Sequence, residues 1–152
     1  MLIAIEANAW FSELSIQDKH SLLLAAFFHD AVYKPLEKNN EDASIDLFRH
    51  AYKANNNIIE HQVIKLIECT KYRKRPSNRL ARIFWDADNA QFKKDYPTFL
   101  RIEKAIRKEF AAVPNKSYQK GRLEFLHSCL GQFGASADKN LNKIIEYVQK
   151  AY

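Results

Sequence analysis

LLLAAFFHDAV, residues 22–32, is the stretch whose reading decides what kind of chain this is. Leu22 to Phe28 is the longest strictly apolar run in the sequence, and an imidazole and a carboxylate, His29 and Asp30, follow it directly. A run with almost no polar face predicts a helix buried on every side. It is far too short to cross a bilayer, which takes ~20 residues. Upstream, Ser15 with Asp18 three positions later forms a capping-box pattern, so the helix is expected from Ser15 to about Tyr33, with Pro35 ending it.

Working outward, the same 3.6-residue apolar spacing recurs in both directions. Residues 2–13 read as a first helix. A polar loop, residues 36–40, leads to another from about Glu41 to Asn55. The next, about 57–71, carries Ile58, Ile59, Val63, Leu66 and Ile67 on one stripe. Pro76-Ser77 opens a helix with Leu80, Ile83, Phe84 and Ala87 inward. Pro97 lies in the first turn of a helix reaching about Ala112, with Phe99, Leu100, Ile102, Ile106 and Phe110 inward, and Pro114-Asn115 breaks it. Tyr118 to about Phe133 and Ser136 to about Val148 complete the set. The expectation is an all-α, single-domain bundle of six to seven helices over residues 1–152.

Composition agrees with this. Three glycines and four prolines leave few places to reverse direction tightly, which argues against a β-sandwich or barrel. A length of 152 residues suits one domain that buries its core without a disulfide or a structural zinc. Cys69 and Cys129 have no CxxC spacing, and no basic segment precedes an apolar leader, so a reducing cytoplasm is the expected home and no membrane partner is expected. The formal charge is +6, and Lys71, Arg73, Lys74, Arg75, Arg79 and Arg82 supply a local excess. Such a cluster suits a phosphate-bearing partner, nucleotide or nucleic acid, or equally a solvated helix end.

The chemistry centres on His29 and Asp30. Imidazole and carboxylate are side chains that divalent metals prefer. Neighbours on a helix point ~100° apart, so both reach one ion only if it sits against the helix. Burying Asp30 as a free charge would cost several kcal/mol, so it needs a metal or a basic partner.

AAFFHDAVYKPLEKNNEDAS, residues 25–44, is similar to a signature of the HD-superfamily phosphohydrolases, and in particular to a small bacterial group of metal-dependent ones. In that group an apolar helix ends in H-D-A-V-Y and a loop leads to N-E-x-x-S, which Asn40, Glu41 and Ser44 match. WDADNAQF, IRKEF and YQKGRLEFL resemble further segments of the group, in the same order. The likeness covers about residues 20–130.

The resemblance implies a metal-dependent phosphohydrolase acting on nucleotides or small phosphorylated metabolites. His29, Asp30 and Asp88 (or Asp86) would ligate a divalent ion, one of Mn, Fe, Co, Ni, Zn or Mg. Asp88 is preferred, since the superfamily usually places its ligand at the second Asp of such a segment. Asp86 and Asp88 point ~200° apart, so only one faces the ion. Glu41 and Asp30 would serve catalysis, and Asn40, Lys71, Arg107, Tyr118 and Arg122 would hold substrate. For Glu41 a first-turn carboxylate matching the helix dipole is the plain alternative; for Arg122 it is an ion pair with an acid on the adjoining helix.

The chain departs from the pattern at one ligand. An upstream histidine is expected a helix before the doublet, in a Y-H-x-x-x-H-I segment. The chain begins at Met1, where such a segment would already have ended. His20 lies nine positions before His29, ~180° round the same helix, so the two cannot share an ion. After Thr70 the sequence reads K-Y-R-K-R where relatives carry T-x-x-H. Weak metal binding is therefore expected. The alternatives are a catalytically inactive HD-fold ligand-binding protein and, less favoured, a basic helical nucleic-acid module; a homodimer is compatible with either.

Overall fold

The structure is a computed structural model and describes residues 1–53, 56–72 and 74–152. The described residues are all-α: eight helices, one 3-10 turn and no strands. The helices are α1 (Leu2–Glu6), α2 (Ile16–Phe28), α3 (Asn40–Ala51), α4 (Asn57–Thr70), α5 (Arg79–Asp88), α6 (Tyr96–Glu109), α7 (Asn115–Cys129) and α8 (Ala135–Ala151), with the 3-10 turn at Ala90–Lys93. The count among the described residues is eight, equal to the segments read one by one along the sequence and above the six to seven stated for the bundle. The chain forms two compact units, Met1–Asp88 and Asn89–Tyr152.

In the first unit the expected first helix is cut short. α1 stops at Glu6 because the Asn8 carboxamide oxygen accepts from the Trp10 amide at 3.0 Å and draws the backbone into a turn. The start of α2 follows its sequence signal: Ser15 Oγ accepts from the Asp18 amide at 3.0 Å and donates to the Asp18 carboxylate at 2.8 Å. The end does not. α2 closes at Phe28 rather than near Tyr33, because the Val32 amide donates to Ser44 Oγ instead of continuing the helical ladder.

α2 is also not buried on every side. Leu22 and Ala25 are fully buried, but Phe27 is 74% exposed and Leu23 39%. The core gathers Leu22, Phe48, Val63, Ile67, Ile83 and Phe84 from α2, α3, α4 and α5 around Ile5 of α1. On α4 the inward stripe is Ile59, Val63, Leu66 and Ile67, while Ile58 points outward. α5 starts at Arg79, later than the Pro76-Ser77 signal, where Asn78 Oδ1 caps the Ala81 amide at 3.0 Å. The expected end of the third helix at Asn55 lies outside the described residues.

In the second unit Phe92, Phe99, Leu126, Leu141, Ile144 and Val148 form the core. Pro97 sits in the first turn of α6, as its fixed φ favours, and Asp95 caps the helix through the Thr98 amide. Of the five apolar positions expected inward on α6, Phe99 alone is fully buried, and the helix buries Glu103 beside it. Gly131 (φ 78°) and Gly134 (φ 93°) turn the chain between α7 and α8 through the left-handed region, where a side chain would be strained.

Candidate functional site

His29 is the C-terminal cap of α2 and Asp88 the last residue of α5. Their side chains meet. His29 Nε2 lies 3.2 Å from Asp30 Oδ2 and 3.5 Å from Asp88 Oδ1. On the other side of the ring, Nδ1 is 3.1 Å from the Ala26 carbonyl oxygen. A carbonyl can only accept, so Nδ1 carries a proton and Nε2 is the atom presented to the two carboxylates. Phe84 packs edge-on against the imidazole, with ring centroids 5.7 Å apart, and fixes its plane. The His29 side chain is 13% exposed, Asp88 28% and Asp30 65%.

Burial alone would lower the pKa of His29, but hydrogen bonds to Asp30 and Asp88 outweigh it and raise the value to about 10. The same bond to His29 holds the Asp30 carboxyl below the usual carboxylate range, against the opposing effect of burial. Helix polarity acts in the same sense. The C-terminal ends of α2 and α5 carry partial negative charge, so Asp88 in that place calls for a cation next to it.

An imidazole that titrates near 6.5 unfolded and about 10 folded stabilises the fold fully below pH 6.5, and that contribution is lost as pH rises through 10. Asp30 contributes above its ordinary value of 3.8 and loses that as pH falls through its lower folded value. With Asp30 largely in water, the expected loss on going from pH 6 to pH 10 is about 2 kcal/mol. Urea denaturation of metal-stripped protein at both pH values reads this directly. His29→Gln should flatten the difference, and an identical slope in that variant would overturn the assignment.

Asp86 faces another way. Its two oxygens take the Arg75 guanidinium in a fork, with Nε–Oδ1 at 2.8 Å. Asn40, expected to touch substrate, closes a loop. Its side chain accepts from the Lys34 amide at 3.0 Å and donates to the Lys34 and Glu37 carbonyls at 2.9 and 3.3 Å. Glu41 follows it in the first turn of α3, half-buried. Lys71, the C-terminal cap of α4, donates to Asp42, which together with the charges of Glu41 and Glu68 raises its pKa.

Arg107, Tyr118 and Arg122 lie in the second unit. Arg122 forks onto Glu103 at 2.7 and 2.9 Å, and the Tyr118 hydroxyl donates to the other Glu103 oxygen at 2.9 Å. Burial and the Glu103 charge push the Tyr118 hydroxyl pKa up. Arg107 donates to the Phe110 and Val113 carbonyls and to Asn115 Oδ1, closing α6 onto the start of α7. Glu103 is the residue that sequence reasoning missed; it lies just before IRKEF, and nothing in the sequence distinguishes it from a surface glutamate.

Three cations of the basic segment are neutralised within the fold. Lys71 is paired with Asp42, Arg75 with Asp86 and Arg79 with Glu13, while Arg82 donates to the Pro76 and Ser77 carbonyls. Lys74 is exposed, and Arg73 lies outside the described residues. Below this segment runs a groove of about 580 Å³ lined by Cys69, Tyr72, Lys74, Arg75 and Ser77. Burial and then the charge of Asp88 push the Cys69 thiol up to about 12, which keeps it a thiol at neutral pH. A second cleft, of about 660 Å³, opens where α2 and α5 begin, at Ser15 and Asn78. Since the triad lies where both helices end, that cleft is ~20 Å away along α2.

One imidazole and two carboxylates are the donor types a divalent ion takes, and the backbone-bonded Nδ1 leaves Nε2 available as a ligand. As they stand they form a hydrogen-bonded triad: among the described residues no group of three or more His, Cys, Asp and Glu is arranged to hold a metal ion. No helix among them is long and apolar enough to cross a membrane. No family model, curated protein or solved structure matches this chain.

Proposed function

We propose that the chain is an HD-type phosphohydrolase domain with a weak divalent-metal site, acting on nucleotides or other small phosphorylated metabolites. The observation that carries this reading is the His29 ring, held through Nδ1 by Ala26 so that Nε2 faces Asp30 and Asp88, a carboxylate from 59 residues downstream. His29, Asp30 and Asp88 would be the ligands, with His29 giving up its Nε2 proton on loading. When bound, such an ion would lower the pKa of a water from 15.7 toward ~7 and neutralise phosphoryl charge.

The chain's own groups would do the rest. Asp30, the most exposed of the three, would hold or move a proton at its free oxygen. Glu41 would act as general base or orient the attacking water. Lys74, which lines the groove that also holds Cys69, would attract the phosphate, and Lys71 would join it by exchanging its bond to Asp42 for one to the phosphate. Arg107, Tyr118 and Arg122, the remaining residues expected to hold substrate, would do so from within the hydrogen-bond network of the second unit.

One observation favours a second reading, a ligand-binding protein that does not hydrolyse. The His29 imidazolium stands where an ion would, so the charge balance of the two carboxylates is already satisfied. The nucleic-acid reading loses ground because Lys71, Arg75 and Arg79 each have an acidic partner.

Calorimetric titration of chelator-stripped protein with Mn2+ and Zn2+, beside hydrolysis assays on nucleoside monophosphates and p-nitrophenyl phosphate, tests the proposal. Weak, saturable binding that strengthens with pH is expected, with slow turnover. Absence of any binding at pH 8 would sink it.

A further inference from the structure

We infer that Asn40 and Ser44 are positioning residues for the His29–Asp30–Asp88 triad, acting through the backbone that follows Asp30. The inference rests on the functional reading only for its second readout.

Asp30 has little to hold it. Its side chain is 65% exposed and lies beyond the end of α2, so its direction depends on the backbone around it. That backbone is fixed on both sides. Before Asp30, the His29 amide still donates to the Ala25 carbonyl at 2.9 Å, as the last regular bond of the helix. After it, the Ala31 amide closes a turn onto the Phe28 carbonyl at 3.0 Å. Val32 is then clamped at both its polar groups by one hydroxyl: its amide donates to Ser44 Oγ at 3.1 Å, and Ser44 Oγ donates to its carbonyl at 3.3 Å.

Ser44 is fully buried and sits on α3, which packs on α2. Asn40, one helical turn earlier on α3, clamps Lys34 in the same two-sided way and reaches the Glu37 carbonyl as well. Two side chains of one helix thus make five hydrogen bonds to the backbone of residues 32–37. Because Asn40 and Ser44 are four apart, they share a face of α3, and that face is a template for the segment leaving the doublet. Loops ordered by side-chain bonds of this kind lose their register when one bond is removed, since the peptide groups then find water instead. Asp30, whose side chain is held by its bond to His29, would swing away first.

The test uses Ser44→Ala, Ser44→Cys (close in shape, poor as a hydrogen-bond partner), Ser44→Thr (hydroxyl kept) and Asn40→Ala. The first readout is the imidazole nitrogen spectrum of His29 in metal-free protein, assigned with His29→Ala, alongside hydrogen exchange at the Val32 amide. Ser44→Ala, Ser44→Cys and Asn40→Ala should shift the Nε2 signal toward its position in Asp30→Asn, with faster Val32 exchange in the Ser44 variants and unchanged helix content; Ser44→Thr should resemble the parent. The second readout is Mn2+ titration, where about a tenfold loss of affinity is expected.

A His29 signal that stays put in a variant whose Val32 amide has become unprotected would overturn the inference, because the clamp would then hold the loop without placing Asp30. A Val32 amide that stays protected in both Ser44→Ala and Ser44→Cys would overturn it too. If no variant and no parent binds Mn2+, the metal reading fails, and the nitrogen spectrum still decides the positioning role.

Discussion

Glu103→Ala is expected to destabilise the second unit by about 3–5 kcal/mol, the range for removing one partner of a buried ion pair. Glu103 has no exposed surface, and Arg122 beside it is 12% exposed, so the substitution leaves a guanidinium and the Tyr118 hydroxyl in the interior without their acceptor. The cost is that of stranding groups away from water, not of losing attraction between them. Equilibrium denaturation followed by a probe within residues 89–152 measures it. The triple replacement Glu103→Leu, Arg122→Leu and Tyr118→Phe, which strands nothing, should be markedly milder. A loss below about 1 kcal/mol in Glu103→Ala would place the pair among ordinary surface salt bridges and remove the structural role of Arg122 and Tyr118.

The second large effect concerns Asp88 against Asp86. Asp88→Asn should weaken Mn2+ binding by at least ~10–100-fold, and His29→Ala should abolish it, since each removes a donor from a set of three. Asp86→Asn should leave affinity near the parent value and lower stability by about 1 kcal/mol through loss of the Arg75 fork. The two aspartates differ by two positions on one helix, so this comparison isolates direction from local charge. Metal binding that survives in Asp88→Asn and disappears in Asp86→Asn would reverse the ligand assignment.

Much of the first unit is legible in the sequence because its signals are local. Ser15 and Asp18 cap α2 through bonds that span three residues, and periodicity alone gives four of the five positions read inward on α4, all but Ile58. Signals at a distance mislead. The apolar run at 22–28 suggests burial all round, yet Phe27 stands in water, because apolar composition sets a preference and only the packing of α3, α4 and α5 sets which face is covered. The sequence carries the helix to Tyr33 because nothing in that segment shows that the Val32 amide has a better acceptor twelve residues on. Asn40 reads as a substrate residue only through the resemblance of N-E-x-x-S, while the loop it closes is invisible in the sequence, because its partners are backbone groups that no sequence pattern displays.

The sequence by itself determined that this chain is helical, where most helices begin, and that His29 and Asp30 fall together at the end of an apolar one. Glycine scarcity, capping residues and 3.6-residue spacing act over a few positions, and so they can be read in order along the chain. The tertiary structure alone decided that Asp88 meets His29 while Asp86 meets Arg75, that Glu103 is buried under Arg122, and that Lys71, Arg75 and Arg79 of the basic segment each meet an acid. Each of these is a contact between charges more than ten positions apart in sequence. Which partner a charge finds depends on the direction its helix faces after packing, and the free energy separating the choices is desolvation, a property of the folded surroundings and not of the residue.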